Sequence, residues 1–397
     1  MLHSRLAKLS GFNRRLYALM LSATTFVLSW TVIQPVFSLY ALDVGANVVQ
    51  VGFIYSLMSF FPLILRIPMS LVAERVGRTR MLVAGLVITL TASVFYSLAQ
   101  SYIHILLVTV YNSLSTGSFN QVAMSTVSDL APPDKQGDAM GRYLTFLGLG
   151  MLLGPAMCSA LVEFLSYGQL FILSALFPAI GLGMLLLYSP RLPRREREQS
   201  DEESIGTIES LRMIFRNRNL MLLSYCRASF STSQAIFLAL FSIYAVENLG
   251  IKESTVALLF TIRGFSNTLA RFPAGRISDN IGRRIPMLIA YGLLVISFAI
   301  IAIYESVTLL GVALVLYGLC WGTRAVSEWA FLTDLVEPEI KTLSISYLSS
   351  VFGFGSTIGS VAAGWLTTIF PYSTIFLIGA ALNLGAIPAI ISMKKKD

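Results

Sequence analysis

Charge is what this sequence has least of. Asp, Glu, Lys and Arg make up 13% of its 397 residues, where a soluble domain carries about 25%. Hydrophobic residues reach 55% and the mean hydropathy is +0.72. The chain is long enough for two soluble domains but lacks the polar surface to cover them. Histidine is nearly absent: His3 and His104 are the two, and neither lies deep in an apolar run. The three cysteines, Cys158, Cys226 and Cys320, sit inside apolar runs without the spacing of a disulfide framework or a metal site, and read as small buried hydrophobes. No phosphate-binding loop of the form G-x4-G-K-[ST] occurs. An enzyme of the membrane would need a nucleophile, a metal cluster or paired acids at depth, and the sequence offers a single deep carboxylate. No cofactor or metal is expected.

What is present is a series of apolar runs of about 20 residues, the length that crosses a hydrocarbon core as helix. Twelve spans are expected, at 16–40, 48–72, 81–99, 103–130, 140–165, 169–188, 220–246, 253–275, 286–304, 307–335, 342–369 and 372–392. The expected fold class is therefore an all-α integral membrane protein. Ahead of the first span, Met1 to Arg15 mixes His3, Arg5, Lys8, Arg14 and Arg15 with Leu2, Leu6 and Leu9, a pattern suited to a short helix on the membrane surface. The run that follows is too long for a signal-peptide core.

The net charge of +8 does not point to nucleic acid, because Lys and Arg fall almost wholly in the short connections. Even-numbered connections hold Arg75, Arg78, Arg80, Lys135, Arg276, Arg283, Arg284, Lys341 and the cluster Arg191, Arg194, Arg195 and Arg197; Lys394, Lys395 and Lys396 end the chain. Odd-numbered connections hold Asp43, Glu247, Lys252, Glu253 and Glu305. This asymmetry puts both termini in the cytoplasm. The longest polar stretch divides the chain into 1–188, a solvated cytoplasmic linker 189–219, and 220–397.

The halves repeat one another. The stretch from Arg66 to Arg78 recurs from Arg271 to Arg283, matching Pro68 with Pro273, Glu74 with Asp279 and Gly77 with Gly282. The same offset of 205 residues pairs Gly117 with Gly322, Asp129 with Asp334, Pro133 with Pro338, Gly150 with Gly355 and Gly154 with Gly359. A fixed offset shared by so many charged, Gly and Pro positions argues an internal duplication.

On these residues the chain resembles the major facilitator superfamily of secondary transporters, across nearly its whole length. The family's signature between spans two and three, G-x-x-x-D-R-x-G-R-[RK], is matched from Ser70 through Glu74, Arg75, Gly77 and Arg78 to Thr79. In the second half it runs from Gly275 through Asp279, Asn280, Gly282 and Arg283 to Arg284. Ser70, Glu74, Thr79 and Asn280 depart from the pattern. The resemblance implies twelve helices in two pseudo-symmetric six-helix bundles. Spans one, four, seven and ten would line a central cavity, two, five, eight and eleven would gate it, and three, six, nine and twelve would face lipid. It also implies a cytoplasmic gate in which Asp129 and Asp334 partner Arg78 and Arg283. In span five, Gly141, Gly150, Gly154 and Pro155 resemble the motif of proton-linked exporters, with Cys158 where another Gly usually stands; Gly355 and Gly359 repeat it without the proline. Close helix packing explains the same residues. Drug exporters of the family often carry an Arg in span four, and Tyr111 occupies that place here.

Charges inside spans cost about 2.5 to 3.5 kcal/mol each at the centre, so they are the functional candidates. The first half offers neutral groups: Thr31 and Gln34 in span one, then Asn112, Thr116 and Asn120 on one face of span four. The second half offers Arg227, Ser231 and Gln234 in span seven, Arg263 and Asn267 in span eight, and Tyr317, Trp321, Arg324 and Glu328 in span ten. Arg227 lies about 10 Å from the inner end of its span, so snorkelling to the interface competes with an inward role. Arg324 and Glu328 can pair across one turn, as a structural pair or a working one. If all four charges face inward, three Arg against one Glu leave the half-cavity at +2. The expected function is proton-linked export of a small organic solute by a monomer in the inner cell membrane, with the lipid bilayer and protons as its other partners. The alternative is uptake of an organic anion through the Arg-rich second half.

Overall fold

The computed structural model describes residues 14–132, 135–188 and 207–393. The expected surface helix before Arg14, residues 189–206 of the linker, and the terminal Lys394–Lys396 lie outside the described residues. Within them the chain is helical apart from short connections, with no strand.

Twelve spans follow in chain order: Arg14–Ile33 with Phe37–Asp43, Val48–Val76, Arg78–Ser97, Tyr102–Leu130, Gln136–Leu161, Tyr167–Tyr188, Arg218–Ile243, Glu253–Ile281, Arg284–Ile303, Val307–Leu335, Pro338–Leu366, and Tyr372–Leu384 with Ala386–Ser392. Nine helices among the described residues are long and apolar enough to cross a membrane. Tyr102–Leu130, Glu253–Ile281 and Pro338–Leu366 are 29 residues each, roughly 43 Å at 1.5 Å per residue. That exceeds the roughly 30 Å of hydrocarbon.

Three expectations need correction. Span one is interrupted by a turn at Gln34–Val36, where Pro35 supplies no backbone donor. The linker is not irregular up to its end: Thr207–Arg216 is helical, and the Asn217 side chain then caps span seven by accepting from the Leu220 N–H at 3.1 Å. The signature stretch is hardly a loop. Helix continues to Val76 and restarts at Arg78, so Gly77 alone makes the turn, at φ +98°. Its counterpart Gly282 has φ +87°. A side chain there would be strained, which is why glycine stands in both copies.

The contacts repeat with the sequence. Span one packs on five and six, and three on four and six; span seven packs on eleven and twelve, and nine on ten and twelve. A Cβ on Gly117 would meet the Leu65 Cβ at 3.3 Å, and one on Gly322 would meet the Ala270 Cβ at 2.8 Å, again 205 residues apart in both partners. The chain forms two compact units. Among the described residues, one comprises 14–46, 61–132, 135–188 and 252–261, and the other 47–60, 207–251 and 262–393. Each unit thus takes in a piece of one span from the other half of the sequence. In the first unit the start of span eight is tied to the ends of spans five and six. Ser159 Oγ donates to the Ser254 carbonyl at 2.7 Å, Tyr167 Oη donates to Glu253 Oε1 at 2.6 Å, and Ser254 Oγ donates to Glu163. In the second unit a Cβ on Gly52 of span two would meet the Gly364 nitrogen of span eleven at 2.8 Å.

The span-five glycines work by contact. A Cβ on Gly150 would lie 3.0 Å from the Thr24 carbonyl, and one on Gly154 would lie 2.7 Å from the Thr31 backbone carbon. Thr31 Oγ1 donates to the Gly150 carbonyl at 2.8 Å. Gly355 and Gly359 press on Ala228, Ser231 and Thr232 of span seven in the same way. Gly141 has nothing within 4 Å. Gly154→Ala should therefore cost about 1–3 kcal/mol through overpacking. Gly141→Ala should be neutral or gain up to about 1 kcal/mol from helix propensity. Unfolding midpoints in detergent test this; equal midpoints for the two variants would remove the packing role from Gly154.

Candidate functional site

The deep charges of the second unit form two separate groups. Glu328 on span ten has no solvent exposure. Its Oε2 accepts from Arg227 Nη1 of span seven at 3.0 Å and from Arg324 Nη1 one turn earlier. Its Oε1 lies 2.8 Å from the hydroxyl of Tyr291 on span nine, and that hydroxyl is 2.6 Å from the Cys226 carbonyl. Each guanidinium also lies against a ring: Arg324 over Phe230 at 3.6 Å, and Arg227 over Trp329 at 4.3 Å and Phe352 at 5.5 Å. Rings cover the faces of the cations without taking up their hydrogen bonds. Two cations and one anion give this group a formal charge of +1.

Arg227 does not snorkel. It is 7% exposed and turned to Glu328, because a buried carboxylate at close range outweighs a reach of about 10 Å to the interface. Nor is there a single pool of +2. Arg263, 3% exposed, belongs to the second group, with Phe237 at 5.0 Å and Tyr317 and Trp321 at 5.4 Å. Gln234 lies one turn from Phe237 on span seven, and its Oε1 is buried without a hydrogen-bond partner, as is the Tyr317 hydroxyl. Ser231 is pressed against Gly355 and serves packing. Asn267 accepts from Arg271 Nε at 3.0 Å, joining two residues of its own helix.

In the first unit the neutral candidates stand apart from any charge group. Gln34, Asn112, Thr116 and Asn120 are half-buried. Gln34 sits in the turn that breaks span one, and Asn112 Oδ1 accepts from Ser115 Oγ at 3.1 Å. Tyr111 shares a hydrogen bond with Thr91 of span three at 2.9 Å. Thr31 is committed to the span-five contact.

At the rim the two copies build the same pair. Arg78 Nη1 donates to Asp129, and Arg283 Nε donates to Asp334 at 2.8 Å, each across 51 residues of sequence. Arg283 also reaches Asp279, and the hydrogen bonds it donates to Asp334 and then to Asp279 hold its guanidinium pKa above its ordinary value. Arg75 is exposed, and the Glu74 side chain lies outside the described set.

Sequence reasoning missed Tyr291, by assigning span nine to lipid, and missed the rings of Phe230, Phe237, Trp329 and Phe352. One signal for Tyr291 was available: a tyrosine in mid-span needs a partner for its hydroxyl. The first unit shows what this position looks like without chemistry. At 205 residues before Tyr291, Arg324 and Glu328 stand Leu86, Phe119 and Ala123, all fully buried in an apolar core.

The Major Facilitator Superfamily model matches residues 19–244 and 223–396. An uncharacterised MFS-type transporter of Methanocaldococcus jannaschii is 22% identical over 383 residues, covering 94% of this chain and 96% of that protein. The multi-drug resistance efflux pump PmrA of Streptococcus pneumoniae is 24% identical over 358 residues, 88% of each chain. Among solved structures the nucleoside transporter NupG superposes with a TM-score of 0.80 at 16% identity, covering 97% of this chain and all of that one. A bacterial homologue of the lysosomal transporter Spinster, inward-facing and unoccupied, gives 0.70 at 17% identity, covering 96% and 94%.

The charge count sets a stability order. Arg227→Met leaves a neutral Arg324–Glu328 pair, whereas Glu328→Gln leaves two buried guanidinium groups without a counter-charge. Glu328→Gln should destabilise by about 3–5 kcal/mol and Arg227→Met by clearly less, read as melting temperature in detergent. The reverse order would show that Arg227 is held by its rings rather than by the carboxylate.

Proposed function

The chain belongs to the Major Facilitator Superfamily, and on that premise we propose that this multi-pass membrane protein exports a small organic solute by alternating access in exchange for protons. The observation that carries the reading is Glu328, a carboxyl without solvent exposure held by groups from three spans. A titratable group so placed can take up and release a proton away from bulk water, and it defaults to a functional role at membrane depth. The name of the Streptococcus relative, an efflux pump, supports the outward direction. Residues 1–188 and 220–397 act as the two working halves, joined through 189–219. Both termini face the cytoplasm, as the positive connections require. The Arg78–Asp129 and Arg283–Asp334 pairs are the gate latches of that side.

A thermal-shift screen of the purified protein against anionic, cationic and neutral solutes at two pH values identifies a ligand, since a bound solute stabilises the folded state. Coupling is then measured in proteoliposomes with the charge-balanced variant Arg227→Gln/Glu328→Gln, which keeps the formal +1 of the group. Proton-driven accumulation should be lost, while counterflow exchange of the same solute continues, because exchange needs no net proton movement. Accumulation that survives in the variant would refute the coupling role.

Uptake of an organic anion is the second reading, and Arg263 favours it: a buried guanidinium bordered by flat rings suits a planar carboxylate. Arg263→Gln should weaken binding of anionic ligands at least ten-fold more than binding of neutral ones, a difference of about 1.4 kcal/mol. Equal losses for both classes would leave Arg263 a packing residue.

A further inference from the structure

The hydroxyl of Tyr291 lies 2.6 Å from the Cys226 carbonyl oxygen and 2.8 Å from Glu328 Oε1. A phenol has one proton. A peptide carbonyl and an ionised carboxylate can only accept. With Glu328 ionised, the tyrosine can serve one of the two oxygens, and the other contact is a close approach of two acceptors. With a proton on Oε1 both contacts close. Glu328 then donates to Tyr291 and Tyr291 donates to Cys226, while Oε2 continues to accept from Arg227 and Arg324. The Cys226 carbonyl does not depend on the tyrosine, since Ser229 Oγ also donates to it at 2.8 Å.

We propose that Tyr291 is a positioning residue that reads the protonation state of Glu328, donating to Cys226 when the carboxyl is protonated and to Glu328 when it is ionised. The tyrosine stays neutral throughout. The incoming proton forms one O–H bond on Oε1, and the phenol proton turns about its C–O bond from one acceptor to the other. Protonation thereby moves the hydroxyl's donated bond from span ten to span seven. The groups facing this switch are Arg227 and Cys226 from span seven and Arg324 and Cys320 from span ten itself. Arg271 of span eight is held by Asn267 of its own helix. Simple packing does not require the hydroxyl, because the first unit fills the same position with Leu86 against Phe119 and Ala123. The inference rests on the reading that Glu328 exchanges a proton during transport.

Infrared difference spectroscopy on the full-length protein in lipid, stepped in pH without solute, tests it. A carboxyl C=O band should titrate, should move on 13C-glutamate labelling, which marks it as one of the thirteen glutamates, and should be missing from the charge-balanced variant Arg227→Gln/Glu328→Gln, which assigns it to Glu328. Tyrosine ring bands should change in the same step and vanish in Tyr291→Phe. In that variant the protonated carboxyl band should rise in wavenumber, its O–H having lost an acceptor, and the midpoint should move. A merely structural tyrosine would lower the melting temperature and leave the band and midpoint unmoved. That result overturns the proposal, as does a set of titrating glutamate bands that the charge-balanced variant leaves complete. If the charge-balanced variant loses accumulation but Tyr291→Phe leaves the infrared titration unchanged, coupling through Glu328 stands and the role of Tyr291 falls. If accumulation survives in that variant, the underlying reading fails whatever the spectra show.

Discussion

An anion inside a membrane has to find its counter-charges in the protein, and the second unit is arranged around that requirement at Glu328. The idealised penalty for moving such an ion from water to a medium of low dielectric is about 20 kcal/mol. No single partner offsets that. Three spans bring donors to the two carboxylate oxygens, and the rings of Phe230, Trp329 and Phe352 cover the guanidinium faces that remain. Spans seven, nine and ten are thus fixed to one another by electrostatics as well as by packing, and a change at the carboxylate is felt by all three. Buried ion pairs add little net stability beside well-packed apolar residues. Replacing the whole group by apolar residues would therefore cost the bundle little, whereas removing the carboxylate alone strands two buried cations.

Comparison of the two copies separates what the fold needs from what it does not. At the rim both halves keep a left-handed glycine and an Arg–Asp pair across 51 residues. At the crossing of spans two with four and of eight with ten both keep a glycine where a Cβ would collide. The glycines are imposed by backbone geometry, and the Arg–Asp pairs occupy the same place in each copy. In the interior the copies diverge: the place of Arg324 and Glu328 is taken by Phe119 and Ala123, with Phe26 stacked on Phe119 at 4.3 Å. The fold accepts either filling.

This division explains how far the sequence could be read. The spans, the duplication and the rim pairs were legible, because hydrophobic length and a fixed offset of Gly, Pro and charged residues are linear properties of the chain. The pairing of Arg324 with Glu328 was legible from their spacing on one helix. Arg227 was ambiguous, since its distance from the span end permits two directions and only the position of Glu328 on another helix decides between them. Tyr291 was invisible to a rule that assigns whole spans to lipid, because one face of a lipid-facing helix still meets the bundle. The signature stretch was expected as a loop because glycine and charge cluster there; with Gly77 absorbing the whole reversal, helix extends to either side.

The magnitudes also order the two readings of the cavity. Arg263 sits among three aromatic rings at 5.0 to 5.4 Å. A desolvated cation–π contact contributes about 0.5 to 2 kcal/mol, so three of them are comparable with the about 2.5 to 3.5 kcal/mol that a central arginine costs on insertion. The rings go far toward holding Arg263 as a cation before any solute arrives, so an anionic solute is accommodated there without being required. Glu328 has no such substitute, because rings present their negative faces and cannot stabilise a carboxylate. Its charge is met by the two guanidinium groups and the Tyr291 hydroxyl. The two sites therefore differ in what they need from the protein: Arg263 is met by rings, and Glu328 only by hydrogen-bond donors and opposite charge.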